Sequence, residues 1–382
     1  MKRVSAVLIA AAVLLCAALA HGAVLRATPE EIRSAADGVA RTWMADEPAS
    51  SLSWNWGEGV LLFGILKSYR MLGDESLLTY VEDYMQYHMD KGIRVFWSDK
   101  TTPALAAAEL ARRYNISTYL PLVDQVMTYV MDEAPRTQQG LIYHLGKAPL
   151  HFIPRVFPDL WVDSLFHWVP TMHRVSALTG DAAYTSEGVF QLEGFLLNMQ
   201  DPVTSLLTHA YNDHPLNEQM PAYEELAFWA RGNSWVYCTL VDTLAELPLE
   251  DPAYPRLQAR LERLDAAIRA AQAPSGLFHT VLLNETTYEE TAGSALLTYG
   301  MARGAHLGIL GAETADAALR GMEGLMTVLV HEADGRVIVN GTSVGTGPRP
   351  NLYPYIPTKP QVTYGVGGWL MAAQAVLELI GA

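Results

Sequence analysis

The segment Thr179-Gly180-Asp181-Ala182 separates two stretches in which apolar residues recur at helical spacing. A glycine can end a helix in the left-handed conformation, and an aspartate directly after it can cap the next helix. The same punctuation recurs at Leu72-Gly73-Asp74-Glu75, and Glu250-Asp251-Pro252 is a third predicted helix start, with proline at the first helical position. The chain is therefore predicted to be a series of helical hairpins.

Helical periodicity extends outward from these breaks over almost the whole chain. It predicts helices at about 29–45, 54–72, 75–90, 102–114, 117–133, 160–178, 182–199, 224–246, 252–272, 288–308, 312–330 and 364–380. Strand-like pieces are few and short, at 141–143, 277–280 and 336–339. Six hairpins without a heptad pattern or a Pro/Ser-rich linker predict an all-α fold, an (α/α)6 barrel with a few short strands in loops. An open helical solenoid is the alternative, but the long irregular segments are too large for simple solenoid turns.

The first twenty residues are interpreted as a signal peptide, followed by a single catalytic domain over 21–382. Lys2 and Arg3 precede an apolar run, and Ala18-Leu19-Ala20 fits the small-x-small cleavage pattern. An uncleaved anchor is the alternative, although the run is at the short end of the ~17–25 residues that span a bilayer. We therefore expect a periplasmic or secreted protein without stable membrane insertion after cleavage.

The charge of the chain argues against nucleic acid as a partner. The net charge is −15, and cleavage would remove Lys2 and Arg3 but no acidic residue, which gives −17. Non-specific nucleic-acid binding needs a basic surface. An anionic substrate must consequently be met by a few local cations.

Cys238 alone would survive cleavage, so no intramolecular disulfide is possible. The sequence does not specify an oligomeric state.

Two aspartates lie beside predicted helix starts and among aromatic residues. Asp163 follows Trp161-Val162 and, with Asp159 as the expected N-cap, should lie one turn inside a helix. Asp99 follows Trp97-Ser98, just before the fourth helix. Taken alone, each is more simply a solvated or capping aspartate near a helix N-terminus. The aromatic surroundings nevertheless allow a poorly hydrated carboxyl, which a general acid at neutral pH requires.

The motif Trp229-Ala-Arg231-Gly-Asn-Ser-Trp235 opens the eighth predicted helix. An arginine between two tryptophans can hold a carboxylate while a ring stacks on a sugar face, although a surface arginine over buried rings is an equal alternative. His144 and His209 lie in long loops, where functional residues concentrate. A lone histidine is more often structural. No spacing of His, Cys and Asp convincingly indicates a metal site, so neither a metal nor another cofactor is expected.

The segment Gly341-Thr342-Ser343-Val344-Gly345 matches the G-x-S-x-G nucleophile elbow formally. That interpretation is rejected because the following Thr-Gly-Pro-Arg-Pro cannot start the required helix, and the chain does not alternate strands with helices. A backbone-rich loop that contacts a polar ligand fits better. Thr342 and Ser343 are therefore candidate substrate contacts.

Taken in order, these motifs resemble those of the unsaturated glucuronyl and rhamnogalacturonyl hydrolases, glycoside hydrolase families 88 and 105. The resemblance extends from about Trp54 to the C-terminus, and it rests on the ordered set because each motif alone is weak. The motifs are Trp54-Asn-Trp-Gly-Glu-Gly59, Ser98-Asp99, Leu160-Trp-Val-Asp-Ser-Leu-Phe166, Leu207-Thr-His209, Trp229-Ala-Arg-Gly-Asn-Ser-Trp235, Tyr288-Glu-Glu-Thr-Ala-Gly-Ser-Ala295 and Gly341-Thr-Ser-Val-Gly345.

The resemblance implies an (α/α)6 barrel, no metal, and a substrate that is an unsaturated uronate-terminated oligosaccharide made by a lyase, of the pectin or rhamnogalacturonan type. A carboxyl protonates C4 of the C4–C5 double bond and water adds at C5. The hemiketal then opens and releases the partner sugar. By position, the resemblance gives Asp163 as the acid/base and Asp99 as its partner carboxylate. It implies substrate contacts from Trp56, His144, Trp161, His209, Arg231 and Trp235.

Elementary electrostatics fit this assignment. A helix N-terminus would hold Asp163 ionised, whereas a nearby Asp99 and apolar walls would raise one of the two pKa values. Two departures stand out: an apparent insertion at 147–158 follows His144, and Phe166-His167-Trp168 stands where methionine and small residues are usual. The alternatives are another (α/α)6 enzyme, a polysaccharide lyase or sugar epimerase, or a non-catalytic sugar-binding barrel.

Overall fold

The computed structural model describes residues 25–147, 158–212 and 227–382; the predicted signal peptide lies outside them. The helices of the described residues are α1 (Pro29–Asp46), α2 (Trp56–Leu72), α3 (Glu75–Lys91), α4 (Ala104–Tyr114), α5 (Leu120–Thr128), α6 (Asp163–Thr179), α7 (Ala182–Met199), α8 (Ala230–Glu246), α9 (Tyr254–Ala270), α10 (Thr291–His306), α11 (Ala312–Thr327) and α12 (Thr363–Leu379). The strands there pair antiparallel two by two: β1 (Leu160–Trp161) with β2 (Ala210–Tyr211), β3 (Leu329–His331) with β4 (Val337–Val339), and β5 (Thr342–Ser343) with β6 (Thr358–Lys359).

The predicted glycine–aspartate breaks between helices are confirmed. Gly73 and Gly180 end α2 and α6 in the left-handed conformation, with φ of 70° and 76°. Asp74 and Asp181 then cap α3 and α7, because each carboxylate accepts a hydrogen bond of 2.9 Å from the backbone N–H two residues further on. These four residues reverse the chain at the end of a helix and so create two of the hairpins.

Several other helices begin later than predicted, and two of these displacements have a visible cause. The helix α9 begins at Tyr254 instead of Pro252, because a hydrogen-bonded turn precedes it. The helix α6 begins at Asp163 instead of residue 160, because Leu160–Trp161 pairs with Ala210–Tyr211 as a short antiparallel sheet. A strand of two residues has too little periodicity to be separated from the helix that follows it.

The even-numbered helices form a closed inner ring, in which α2, α4, α6, α8, α10 and α12 each contact the next and α12 returns to α2. The odd-numbered helices pack outside this ring and carry the chain back. The inner helices therefore run in the same direction, and their N-terminal ends meet at one end of the barrel. This arrangement confirms the predicted six-hairpin toroid.

The ring closes where α2 and α12 cross at glycines. A Cβ atom on Gly367 would lie 2.5 Å from the carbonyl oxygen of Val60, and one on Gly64 would overlap the Gly367 backbone. Only residues without a side chain permit this approach. Fully buried Trp235 and Trp369 help to fill the interior. In the described part of the chain, the helices fall short of the length and apolar character that a membrane span needs.

Candidate active site

A cavity of about 220 Å³ opens at the N-terminal ends of the inner helices. A larger groove of about 780 Å³ runs along α1 outside the ring, but its charged side chains pair with one another, as Arg41 does with Asp37. The smaller cavity collects carboxyl, imidazole and indole groups, and it is the candidate active site. Its described lining consists of Trp56, Trp97, Asp99, His144, Trp161, Asp163, His167, Trp229, Arg231, Gly345, Thr346 and Gly347.

Asp163 is positioned by the junction between β1 and α6. The Val162 N–H donates a 3.0 Å hydrogen bond to the His209 carbonyl, which extends the pairing of β1 with β2. This pairing places the His209 side chain beside Asp163, with Nε2 3.1 Å from Oδ2. Val162 occupies the N-cap position, so the predicted capping role of Asp159 is wrong and Asp163 is the first residue of α6.

Asp99 reaches the same cavity from the short helical turn Ser98–Lys100 that precedes α4. Its Oδ1 atom lies 3.5 Å from His144 Nε2 and 3.9 Å from His167 Nδ1. Asp99 and Asp163 are largely buried, with 16% and 15% of their side-chain surfaces exposed. The structure therefore brings together the two carboxyl groups that the sequence singled out, 64 positions apart in the chain (163 − 99).

The two carboxyl groups differ in their affinity for a proton. Burial and the negative charge of Asp163 raise the pKa of Asp99 to about 7. Burial would also raise the pKa of Asp163, but the surrounding histidines, His209 foremost, outweigh burial and lower it to about 2. Near neutral pH the pair consequently shares one proton, and in the resting site Asp99 holds it. The sequence-based hypothesis had placed that proton on Asp163.

His144 and Trp161 form one wall of the cavity. Their rings are stacked, with centroids 4.2 Å apart and planes within 8° of each other. The Nδ1 atom of His144 lies 2.9 Å from the Ser164 hydroxyl, which fixes the ring. Burial lowers the pKa of His144 to about 3 and that of His167 to about 4, so both imidazoles are neutral at pH 7. His144 and Trp161, both predicted from the sequence, thus line the cavity.

His209 does not line the cavity but orients Asp163 from behind. Its ring stacks on Trp229 at 4.3 Å, and Nδ1 lies 2.8 Å from the hydroxyl of Tyr353. When Tyr353 donates to Nδ1, the Nε2–H of His209 faces Asp163. A buried chain of tyrosine, histidine and aspartate results, and it stabilises the ionised carboxylate.

Arg231 lines the cavity, but its guanidinium fork is engaged within the protein. One terminal nitrogen donates to Glu290 Oε1 at 3.1 Å and to Ser343 Oγ at 2.7 Å. The other donates to the Val344 carbonyl at 3.2 Å and to Thr346 Oγ1 at 3.1 Å. The predicted hold of Arg231 on a substrate carboxylate stays a prediction, and in this structure protein oxygens engage both terminal nitrogens of the guanidinium. Arg231 instead holds the loop that carries Thr346 against the cavity.

Three further predicted contacts lie behind the cavity wall. Trp235 is fully buried, and its ring meets Trp56 edge-on with centroids 6.1 Å apart. Thr342 and Ser343 are also fully buried and form β5. Their contact with a substrate stays a prediction, and the described cavity lining contains Trp56 and Gly345 to Gly347 but not these three residues. Trp56 itself lines the cavity as predicted.

Several functional neighbours escaped the sequence analysis. His167 was recognised only as a departure from the usual motif. Glu290 is fully buried, caps α10 through the Gly293 N–H and pairs with Arg231; a glutamate directly before a helix start could have indicated it. Tyr353 contacts His209 across 144 positions of the chain, and no local pattern signals such a contact.

Comparison with known proteins identifies a family. The family model described as Glycosyl Hydrolase Family 88 matches residues 33–380. The unsaturated rhamnogalacturonyl hydrolase YesR of Bacillus subtilis is 25% identical over 268 residues, which cover 70% of this chain and 74% of the relative. An unsaturated 3S-rhamnoglycuronyl hydrolase of an Alteromonas species is 22% identical over 338 residues, 84% of this chain and 77% of the relative.

The fold has a counterpart among solved structures. A crystal structure of a possible member of the GH105 family from Salmonella enterica serovar Paratyphi A superposes with a TM-score of 0.78 at 23% identity. The superposition covers 92% of this chain and 94% of that one. At this level of identity the likeness concerns the fold.

Proposed function

The chain belongs to Glycosyl Hydrolase Family 88 and is a glycoside hydrolase, and we propose that it removes a terminal Δ4,5-unsaturated uronate from lyase-generated oligosaccharides. The observation that carries the proposal is the meeting of Asp99 and Asp163, two largely buried carboxyl groups, in one cavity lined with indole and imidazole rings. The names of the two relatives, an unsaturated rhamnogalacturonyl hydrolase and an unsaturated 3S-rhamnoglycuronyl hydrolase, support it, and the first name favours a substrate of the rhamnogalacturonan type.

The cavity suits the end of an oligosaccharide. Its volume of about 220 Å³ is below the ~300–1,000 Å³ of pockets for drug-sized ligands, so it admits one terminal sugar. Trp56, Trp161 and Trp229 offer faces on which a sugar ring can stack. The positive ends of the inner-helix dipoles converge here, and they favour the uronate anion although the protein as a whole is acidic.

Two carboxyl groups that share one proton suit the hydration of a vinyl ether. In the proposed reaction Asp163 delivers the proton to C4, and the electrons of the double bond form the new C4–H bond. Asp99 holds that proton in the resting site and passes it to Asp163 before the double bond is protonated. Water then adds at C5 and gives up a proton to the carboxylate, which restores the pair. The hemiketal at C5 opens, leaving C1 as a hemiacetal that expels the partner sugar.

The test is a panel of oligosaccharides made by lyases from rhamnogalacturonan, pectin, glycosaminoglycans and ulvan. Loss of the ultraviolet absorbance of the conjugated double bond should accompany release of an equal amount of sugar. Asp163→Asn is the matched control and should leave the absorbance unchanged over the same period. A rise in absorbance would identify a lyase, and binding without turnover would identify a sugar-binding barrel.

Export is a second part of the proposal. It is supported by Lys2 and Arg3 before an apolar run that ends at Ala18-Leu19-Ala20. Mass spectrometry of the protein purified from a secreting host should find an N-terminus at residue 21. Retention of residues 1–20 in a membrane fraction would instead indicate an anchor.

A further inference from the structure

Asp99, His144 and His167 form a cluster of metal-binding atoms in the cavity. One oxygen and two nitrogens of these side chains all lie within 4.8 Å of one another, with Asp99 Oδ1 3.5 Å from His144 Nε2 and 3.9 Å from His167 Nδ1. In a tetrahedral site with bonds of ~2.0–2.2 Å, two ligand atoms are about 3.4 Å apart. The two distances from Asp99 Oδ1 are close to this value.

His167 has no partner that would explain its burial. Only 2% of the residue is exposed, yet neither ring nitrogen has a hydrogen-bond partner among the described residues. The ring stacks on Trp56 at a centroid distance of 6.3 Å and meets Trp235 edge-on at 6.5 Å. A buried polar group without a partner is destabilising unless a ligand completes it. Nδ1 lies 3.9 Å from Asp99 Oδ1, a separation that a cation held between the two atoms would bridge.

His144 is already held in the manner of a metal ligand. Its Nδ1 atom lies 2.9 Å from Ser164 Oγ, which lies 3.3 Å from Ser98 Oγ. When the Ser164 hydroxyl donates to Ser98, it accepts from the Nδ1–H of His144. The lone pair of Nε2 then points towards Asp99. A hydrogen bond on the second ring nitrogen is the usual way in which a protein orients a ligating histidine.

We propose that Asp99, His144 and His167 bind a divalent transition-metal ion of the zinc or cobalt class, with one coordination position open to the cavity. Two imidazoles and one carboxylate suit these ions, whereas calcium and magnesium prefer oxygen ligands. The bound ion occupies Asp99 Oδ1 and the space beside it in the cavity. A second step rests on the proposed function: the ion blocks hydration of the double bond reversibly.

Binding is tested with the tag-free full chain after treatment with a chelator. Titration with cobalt(II) chloride, followed by visible absorption and calorimetry, should show one ion per chain. His167→Met removes a nitrogen ligand and should weaken binding by at least about 100-fold, the upper end of the effect of losing a supporting residue. Circular dichroism verifies the fold, and Asp99→Asn is an independent second variant. His331→Gln, on strand β3 away from the cavity, should bind like the wild type. Failure of the wild type to bind, or undiminished binding by both ligand variants, overturns the site.

The block is tested by the ratio of turnover with zinc to turnover with chelator, taken within each variant. The wild type should lose most of its turnover in zinc and recover it in chelator, whereas His167→Met should show a ratio close to one. Faster turnover with zinc, or loss of turnover in chelator, overturns the block. If no unsaturated uronide is turned over at all, the proposed function fails, and the cobalt titration still decides whether the site exists.

Discussion

The barrel removes two pairs of carboxyl groups from bulk water, one at the N-terminal end of the inner ring and one further along the inner helices. Asp99 and Asp163 lie at the N-terminal end, while Glu109 and Asp242 lie further along α4 and α8. Arg174 joins the second pair, with Nε 2.7 Å from Glu109 and a terminal nitrogen 2.8 Å from Asp242. Asp163 and Arg174 are eleven residues apart on α6, about 16 Å at ~1.5 Å per residue.

The second pair is surrounded by cationic side chains. Arg113 lies 2.6 Å and Lys67 3.5 Å from Glu109, and Arg303 lies 3.1 Å from Asp242. Burial alone would raise the pKa of both carboxyl groups, but these cations and Arg174 outweigh it and hold both pKa values well below the ordinary range. The pair is therefore ionised at every pH at which the protein works.

The difference between the pairs lies in the neighbours more than in burial. Asp99 faces two imidazoles that are neutral at pH 7, and Lys100 compensates its charge only in part, so its pKa rises to about 7. Glu109 faces guanidinium and ammonium groups and cannot hold a proton. A buried carboxyl group thus becomes reactive or structural according to whether its partners carry charge. The comparison predicts opposite responses to substitution at the two pairs.

The largest expected effect is on catalysis, at Asp163. Asp163→Asn should lower turnover by at least ~10²–10⁴-fold, the range for a lost acid–base group, while substrate binding stays nearly intact. Single-turnover rates and equilibrium binding measure the two quantities separately. Asp242→Asn is the control from the other pair, and it should keep its turnover per folded molecule. Near-normal turnover in folded Asp163→Asn would contradict the assignment.

The second expected effect is on stability, at Arg174. Arg174→Met leaves two buried carboxylates with fewer partners and should lower the free energy of unfolding by about 3–5 kcal/mol. The matched control is Arg112→Met, which breaks a partly exposed pair with Glu246 and should cost about 0–1 kcal/mol. Urea denaturation compares them. Equal, small losses of unfolding free energy in both variants would mean that the cations around Glu109 and Asp242 do not stabilise this part of the barrel.

The third expected effect is a shift in the pH dependence of turnover. The proton of the catalytic pair is lost as pH rises through about 7, the pKa of Asp99, so activity should fall above that pH. In Asp99→Asn the remaining carboxyl is Asp163, whose pKa is lowered to about 2, so the alkaline limb should move to lower pH. Profiles are recorded with chelator present. An unchanged profile with weaker binding would make Asp99 a ligand for a substrate hydroxyl.

Asp99→Asn should also change the stability of the protein, and the sign of the change should be opposite to that of Asp242→Asn. A raised folded-state pKa means that Asp99 favours folding while it is protonated, and that this contribution is lost as pH rises from its unfolded value of about 4 through about 7. Asp99→Asn should therefore raise the melting temperature more at pH 8 than at pH 5. The lowered pKa of Asp242 contributes stability above about pH 4, so Asp242→Asn should lower the melting temperature at both pH values.

The sequence predicted the barrel well because its evidence is local and repeated. The breaks at Gly73-Asp74 and Gly180-Asp181 each need only adjacent residues, and the same helical period recurs along the chain. It also predicted that Asp99 and Asp163 face one site, through an ordered set of motifs. Two-residue strands and displaced helix starts escaped it because they depend on pairing with distant segments.

The roles of individual side chains were less predictable, for a physical reason. Arg231 was expected to grip a substrate, but its fork is filled by Glu290 and by the loop after β5. The location of the proton depends on the histidines that reach Asp163 from other parts of the chain. Such long-range contacts decide whether a charged group is free or engaged, and they leave no periodic trace in the sequence.

The smallest expected effect concerns the atom that receives the proton of the catalytic pair. An ordinary glycosidase protonates the linking oxygen and attacks C1 between two flanking carboxylates, so it is sensitive to replacing that oxygen by sulfur, a poorer proton acceptor. If Asp163 protonates C4, the group at C1 leaves only after the ring opens, and turnover of a sulfur-linked unsaturated uronide should change little. The saturated counterpart should not be cleaved at all, since it lacks the double bond. Matched oxygen- and sulfur-linked compounds are compared by release of the leaving group. Cleavage of the saturated compound, or refusal of a sulfur-linked compound that binds normally, would point to direct hydrolysis and would give the pair the role it has in other glycosidases.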